Sequence, residues 1–179
     1  KLTAVETDDG NDMTDVTLSD DGSMVVFVRG HTPNRGGWIA NPTSNADGAD
    51  RVITGVRTSG GPTWRIAEGA NPILAPNGRW VLFVRNGQIH RAPVDPNLTL
   101  SHSNDDKTQL FTAFGNNSAP VWSPDGSKIA FVSERGEHSL IGIYDVDHRQ
   151  VSYLAPNVDY DSSPTFSSDS SQVLSNIHI

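Results

Sequence analysis

Short, almost unbroken apolar runs punctuate the chain: MVVFVR at 24–29, WVLFVR at 80–85 and KIAFVS at 128–133. Each is too short for an ordinary helix and partly β-branched, which predicts a strand buried on both faces. Turn-forming residues stand directly before each run: Asp21-Gly22, Asn77-Gly78 and Asp125-Gly126. The pattern extends on both sides. VTLSDDGSMVVFVR (16–29), PILAPNGRWVLFVR (72–85) and PVWSPDGSKIAFVS (120–133) are three copies of one unit, and PTFSSDSSQVL (164–174) is a worn fourth. The markers Asp21, Asn77, Asp125 and Asp169 are spaced by 56, 48 and 44 residues. Propeller blades repeat at about 40 to 50 residues. The long first spacing contains a loop-rich insertion from His31 to Asp50.

The turn has a physical reading. Pro124 presets φ near −65° at the second position of Ser123-Pro-Asp-Gly126, and Gly126 supplies a positive φ that returns the chain to the sheet. Ser123 and Asp125 are placed to bond local backbone. Ser170 stands where the other copies have glycine, which predicts a looser or strained turn there. Two further strands follow each run, as in 139–145 and 150–154. The fold class expected is therefore all-β: β-propeller blades of four antiparallel strands, with about three and a half blades present. Blade one uses strands near 14–18, 24–29, 51–57 and 63–67. Blade two uses 71–75, 80–85, 88–92 and 109–113. Blade three uses 119–123, 128–133, 139–145 and 150–154, and a fourth starts near 163. A closed ring needs about 4 to 8 blades. The expectation is a partial propeller, completed by further blades of the same protein or by another copy in a homo-oligomer.

Charge and composition narrow the partners. The chain has 179 residues and a net charge of −8, which disfavours nucleic acid and anionic membrane surfaces. It has no cysteine, so disulfides and thiolate metal sites are excluded. No apolar run approaches the length of a membrane span, and the N-terminus KLTAVETDDGND has no signal-peptide core. A soluble protein follows, with bacterial periplasm, exterior and cytoplasm all open.

The SPDGSKIAF stretch (123–131) is similar to the repeat of TolB-like and dipeptidyl peptidase IV-like propellers. RIAEGANPILAPNG (65–78) with VRNGQIH (84–90) resembles the second blade of bacterial prolyl oligopeptidase-family enzymes. Trp122 through SLIGIYD (139–145) resembles their third. VVFVRGH (25–31) and the insertion motif NPTS (41–44) fit as well. The resemblance spans nearly the whole chain and points to the dipeptidyl aminopeptidase branch. It implies a propeller that covers an α/β-hydrolase domain and admits short or unstructured peptides to a Ser-Asp-His triad. The G-x-S-x-G elbow of such a domain does not occur in these residues, so no catalytic residue is assigned. The paired-glutamate motif that holds a substrate's amino terminus in dipeptidyl peptidase IV is not present either. The expected partners are the hydrolase domain and a peptide substrate, with no cofactor. A TolB-like propeller serving as a protein-binding scaffold is the alternative. A lyase or carbohydrate-active propeller is disfavoured, because the first strands (15–18, 72–75 and 120–123) are mostly apolar.

In a propeller, the loop from strand two to strand three and the link between blades share one rim, opposite the Asp-Gly turns. Arg135, Glu137 and His138 in such a loop, with Glu68 and Asp161 at the links, are the candidate substrate or partner contacts. Ser123 with Asp125 reads as turn chemistry rather than a nucleophile with its carboxylate, because the pair recurs in the repeat. None of the six histidines (31, 90, 102, 138, 148 and 178) forms an H-x-H or H-E-x-x-H pattern. The acidic segment Asp8-Asp-Gly-Asn-Asp12 with Asp15 lacks calcium-loop spacing and reads as a solvated terminus. Trp122 and Phe166 occupy equivalent positions and read as packing between blades. NLT (97–99) and NNS (116–118) are chance matches to glycosylation sequons.

Overall fold

The computed structural model describes residues 10–42, 44, 46, 49, 51–97, 109–154 and 159–178, the last two without their side chains. Asp8, Asp9, Asp50, Thr99, His102 and the side chain of His178 lie outside the described residues.

Among the described residues thirteen strands follow one another: β1 (Met13–Leu18), β2 (Met24–Arg29), β3 (Val52–Arg57), β4 (Trp64–Glu68), β5 (Ala70–Leu74), β6 (Trp80–Arg85), β7 (Gln88–Pro93), β8 (Asn116–Trp122), β9 (Lys128–Glu134), β10 (Ser139–Asp145), β11 (Gln150–Tyr153), β12 (Tyr160–Phe166) and β13 (Val173–His178). No helix occurs among the described residues. Strands β1 to β4 form one antiparallel meander, and β5 to β7 form a second. Strands β8 to β11 form a third meander. The β12–β13 hairpin joins it through a single parallel pairing, Ser139 with Tyr160. The segment expected as blade two's fourth strand makes only one bridge, Gln109 to His90. Its chain turns on itself instead: Gln109 Nε2 donates to Phe111 O and Thr112 Oγ1, both at 3.1 Å. Leu110, Phe111 and Ala113 meanwhile pack into the core beside blade three.

The apolar runs are buried on both faces because each sheet is sandwiched. On β6, Val81 and Phe83 face blade one, while Leu82 joins Ile89, Ile129, Phe131 and Tyr144 towards blade three. On β9, Ile129 and Phe131 face blade two, and Ala130 and Val132 face the fourth hairpin. Period-two alternation thus feeds two cores rather than one core and solvent. Trp122 and Phe166 pack at successive blade interfaces. Gly142 pairs with Phe131 across the strands, and a Cβ there would lie 2.2 Å from the ring. Only glycine lets that ring lie flat over its neighbour strand.

The turns before β2, β9 and β13 share one hydrogen-bond design. Ser19, Ser123 and Ser167 donate their hydroxyls to Asp21, Asp125 and Asp169 at 2.7, 2.6 and 2.6 Å. The same carboxylates accept the backbone N–H of Ser23, Ser127 and Ser171 at 2.9, 3.0 and 3.1 Å. The serine hydroxyls in turn accept N–H from Met24, Lys128 and Gln172. These bonds, led by the first serine, lower Asp21 and Asp169 to about 2 and hold Asp125 lower still. Ser123 and Asp125 are therefore a structural pair. Ser170 adopts φ 63°, matching Gly22 and Gly126 at 68° and 73°. The turn is strained at one residue but not looser, because its bonds are all made.

Each innermost strand carries a β-bulge. Register shifts fall between Thr14 and Thr17, Ala70 and Ile73, Ser118 and Val121, and Ser162 and Thr165. Asp15, Asn71, Ala119 and Ser163 sit there with φ of 51°, 51°, 47° and 53°. The repeated bulge bends these strands, which lie side by side, β5 next to β1, β8 next to β5 and β12 next to β8.

Candidate functional site

The loop joining β9 to β10 closes as a tight turn, with Arg135 N–H donating to His138 O at 2.9 Å. This turn throws the Arg135 side chain between two rings. Its guanidinium carbon lies 4.6 Å from the centroid of Tyr153 and 5.3 Å from that of Phe114. Its Nε is buried with no hydrogen-bond partner, and Arg135 forms no ion pair among the described residues. Phe114 is 73% exposed and Tyr153 37% exposed, so the rings present a surface rather than a core. Tyr160 Oη donates to Gly136 O at 3.2 Å, tying the next blade's first strand to this loop.

A buried polar knot holds Phe114 in place. Asn117 is fully buried, and its Nδ2 donates to Gln88 Oε1, Ala113 O and Gly115 O at 3.1, 3.1 and 3.2 Å. Gln88 Nε2 adds a bond to Gly115 O at 3.1 Å, and Ser133 Oγ donates to Phe114 O at 2.8 Å. Gly115 has φ 81°, and a Cβ there would lie 2.1 Å from Glu134 O, so backbone meets backbone only through this glycine. The link from blade two to blade three is thus fastened at three successive carbonyls, 113 to 115.

The other residues predicted for this rim are placed as follows. Glu137 is exposed and His138 half-buried in the same turn as Arg135. Asp161 is buried, and its carbonyl accepts the Ser139 hydroxyl at 2.6 Å, so its backbone contributes to the junction. Glu68 lies apart, at the end of β4 in blade one, where it is ion-paired with Arg65. Asp15 pairs with Arg51 at 3.2 Å and accepts the N–H of Asn71 at 3.3 Å, bridging the first two blades. Asp12 pairs with His31 at 2.7 Å. Sequence reasoning missed Phe114, Tyr153, Gln88 and Asn117. Asn117 lay inside the stretch read as a sequon, and nothing in one sequence marks it as buried.

Among the described residues, two hollows open on the opposite rim, beside the Asp-Gly turns. One, of about 560 Å³, lies between blades one and two and is lined by Arg57, Trp64, Arg79, Trp80, Pro93 and Asp95 among others. The second, of about 380 Å³, lies between blades two and three, against Pro76, Trp80, Arg91 and Trp122. No helix of the described residues is long and apolar enough to cross a membrane.

Stacked antiparallel meanders of three or four strands around bulged inner strands define a partial β-propeller. Its likeness to solved structures agrees. TolB of Acinetobacter baumannii is 24% identical, with 89% of this chain and 36% of that chain covered and a TM-score of 0.60. A puromycin-hydrolysing peptidase of Mycobacterium tuberculosis is 16% identical, with coverages of 90% and 27% and a TM-score of 0.61. The β-propeller domain of the Trilobed protease of Pyrococcus furiosus, which has an open velcro topology, is 17% identical, with coverages of 86% and 45% and a TM-score of 0.57. The chain therefore spans a half or less of each of these proteins. No family model matches the chain, and no curated protein matches it.

Proposed function

We propose that this chain is the propeller part of a prolyl oligopeptidase-family serine peptidase, with the Arg135 rim turned towards a hydrolase domain. The observation that carries the reading is the unpaired Arg135 guanidinium, held between Phe114 and Tyr153 on the rim where the blade links gather. A flat cation supported by rings suits a peptide carboxylate or backbone carbonyl, and its partial burial makes that contact stronger than at an open surface. The propeller's role is to admit short or unfolded peptides and to orient one end of them, while acyl transfer occurs at a triad serine elsewhere in the protein. The likeness to peptidase propellers supports this, and the likeness to TolB supports the second reading, a protein-binding scaffold.

The deciding experiment labels the whole protein with a fluorophosphonate and maps the modified serine. The peptidase reading expects one label outside residues 1–179, together with hydrolysis of short peptides in preference to folded proteins. A label on a serine within 1–179 overturns it, and so does the complete absence of labelling and hydrolysis, which favours the scaffold.

A further inference from the structure

The two hollows on the Asp-Gly rim are a site that the peptidase reading does not use. Three of the four tryptophans line them: Trp64 in the larger, Trp80 in both and Trp122 in the smaller. The platform is rigid. Trp64 lies over Gly55, where a Cβ would be 2.6 Å from the indole, and its Nε1 donates to Val94 O at 2.9 Å. Trp80 is stacked by Arg91 at 4.3 Å. Three aromatic side chains thus stand along one edge of blades one to three, fixed before any ligand arrives, which lowers the entropic penalty of binding.

The polar groups around them are unbalanced. Asn77 Oδ1 already accepts the Arg79 N–H at 3.0 Å. Asp95 Oδ1 accepts both the N–H and Nδ2 of Asn97, at 2.8 and 2.9 Å. Both carboxylate oxygens of Asp125 are taken within its turn. Apart from Asp95 Oδ2, these side-chain acceptors are therefore engaged. The guanidinium donors are not: Arg57, Arg79 and Arg91 make no ion pair among the described residues.

A groove of indole faces and spare donors suits a ligand that is apolar, preformed and rich in acceptors. A proline-rich segment in polyproline II conformation has those properties: each proline presents a carbonyl and no N–H, and its backbone is already extended and unpaired. Aromatic-lined grooves bind such segments in several unrelated folds. Sugars suit the site less well, because their hydroxyls need acceptors as well as donors. Polyanions suit it less well too, because the carboxylates of Asp95 and Asp125 line the same hollows as the arginines and the chain carries a net charge of −8.

We propose that the Trp64–Trp80–Trp122 edge is a docking site for a proline-rich segment of a partner protein. It lies on the rim opposite Arg135 and stands whether or not the peptidase reading holds.

The test uses the whole protein, pretreated with a fluorophosphonate so that any active site is blocked. The probe is a fluorescein-labelled dodecapeptide of Ala-Pro-Pro repeats, followed by anisotropy and by tryptophan emission. A Gly-Ser peptide of equal length, a glutamate-rich peptide and maltohexaose are the comparison ligands. The expected result is saturable binding of the proline-rich probe that shifts tryptophan emission. Binding should weaken roughly tenfold in Trp80→Ala and severalfold in Arg79→Gln, an exposed position that leaves the fold intact, and change less than about twofold on raising salt. Absence of binding at about millimolar probe overturns the proposal, since weak peptide sites still register there. It is likewise overturned if the Gly-Ser peptide or maltohexaose binds equally, or if the glutamate-rich peptide binds more tightly with steep salt dependence. Weakening by Arg135→Gln but not by Arg79→Gln assigns the probe to the other rim and also overturns it.

Discussion

The Ser170 hydroxyl oxygen accepts the backbone N–H of Asp125 at 3.2 Å, joining the turn of the fourth hairpin to that of the third blade. Ser170 thus does two things that glycine cannot do together: it closes its own turn at φ 63°, and it reaches the neighbouring turn. Left-handed backbone costs a non-glycine residue about 1–2 kcal/mol, and one exposed hydrogen bond returns at most about 1 kcal/mol. Replacing Ser170 by Ala keeps the strain and removes the bond, so it should lower unfolding free energy by about 0.5–1 kcal/mol. Ser170→Gly relieves the strain but loses the bond and frees the unfolded chain, so it should stay within about 0.5 kcal/mol of the parent. Urea titrations of the two variants check the order, and Ala more stable than Gly would contradict it.

The turn carboxylates make stability pH-dependent at the acid end. Asp21 and Asp169 sit at about 2 when folded, against 3.8 for an ordinary aspartate, and Asp125 lies below them. Each folded value is depressed, so the stabilisation is fully present above the unfolded value and is lost as pH falls through the folded one. The urea midpoint should therefore be flat above about pH 5 and fall steadily from about pH 4 towards 2. Asp125→Asn should be less stable near neutrality and show a shallower acid fall. An equal slope in that variant would mean that other groups control the transition.

Gly142 tests the aromatic packing of blade three. A Cβ added there meets the Phe131 ring at 2.2 Å, and Phe131 is fully buried against Phe111 and edge-on to Tyr153. The ring has no free space to move into. Gly142→Ala should destabilise by about 1–3 kcal/mol, the usual range for overpacking a filled core. Chemical denaturation measures the loss, and Phe131→Leu in the same chain should recover part of it because the shorter side chain clears the new methyl.

The strands were legible in the sequence for a clear reason. A run such as KIAFVS is apolar at both parities, and only a sheet covered on both faces requires that. The turn chemistry was equally local, since Ser123, Asp125 and Gly126 act within a few residues of one another. The bulges at Asp15, Asn71, Ala119 and Ser163 were harder to see. Three of the four precede a proline, but the fourth precedes Val16, and a shift in register is a property of two strands rather than one. Of the predicted rim residues, Arg135, Glu137 and His138 share one turn, because loop neighbours in sequence remain neighbours in space. Phe114 and Tyr153 reach Arg135 from elements 21 and 18 residues away. The knot of Gln88 and Asn117 links different blades, and no periodicity signals a long-range polar contact.

That knot should act on the rim at a distance. Asn117→Ala removes the donor shared by Gln88 and two link carbonyls and leaves them buried without it. A loss of about 1–3 kcal/mol is expected, measured by urea unfolding, because buried polar groups are stranded rather than replaced. Phe114, released from its fixed link, should show faster side-chain motion by fluorine NMR of a fluorophenylalanine label. Unchanged motion would mean that the Ser133 bond to its carbonyl suffices alone.

Arg135 itself separates a binding role from a structural one. The guanidinium stacks on both Phe114 and Tyr153, and each such contact contributes about 0.5–1 kcal/mol at an exposed site. Arg135→Lys keeps the charge but loses the flat, forked shape that matches a carboxylate. Arg135→Gln loses both. If the rim holds one end of a peptide, the whole protein should show KM for a short peptide raised roughly tenfold in Arg135→Gln and less in Arg135→Lys. Under the same reading kcat should change by less than about twofold, since Arg135 grips the substrate away from the reacting atoms. A merely structural Arg135 predicts a different pattern: both variants lose thermal stability to the same degree, and KM stays at the parent value. Lys retaining part of the affinity while Gln loses it is the outcome that ties the effect to the cation rather than to packing.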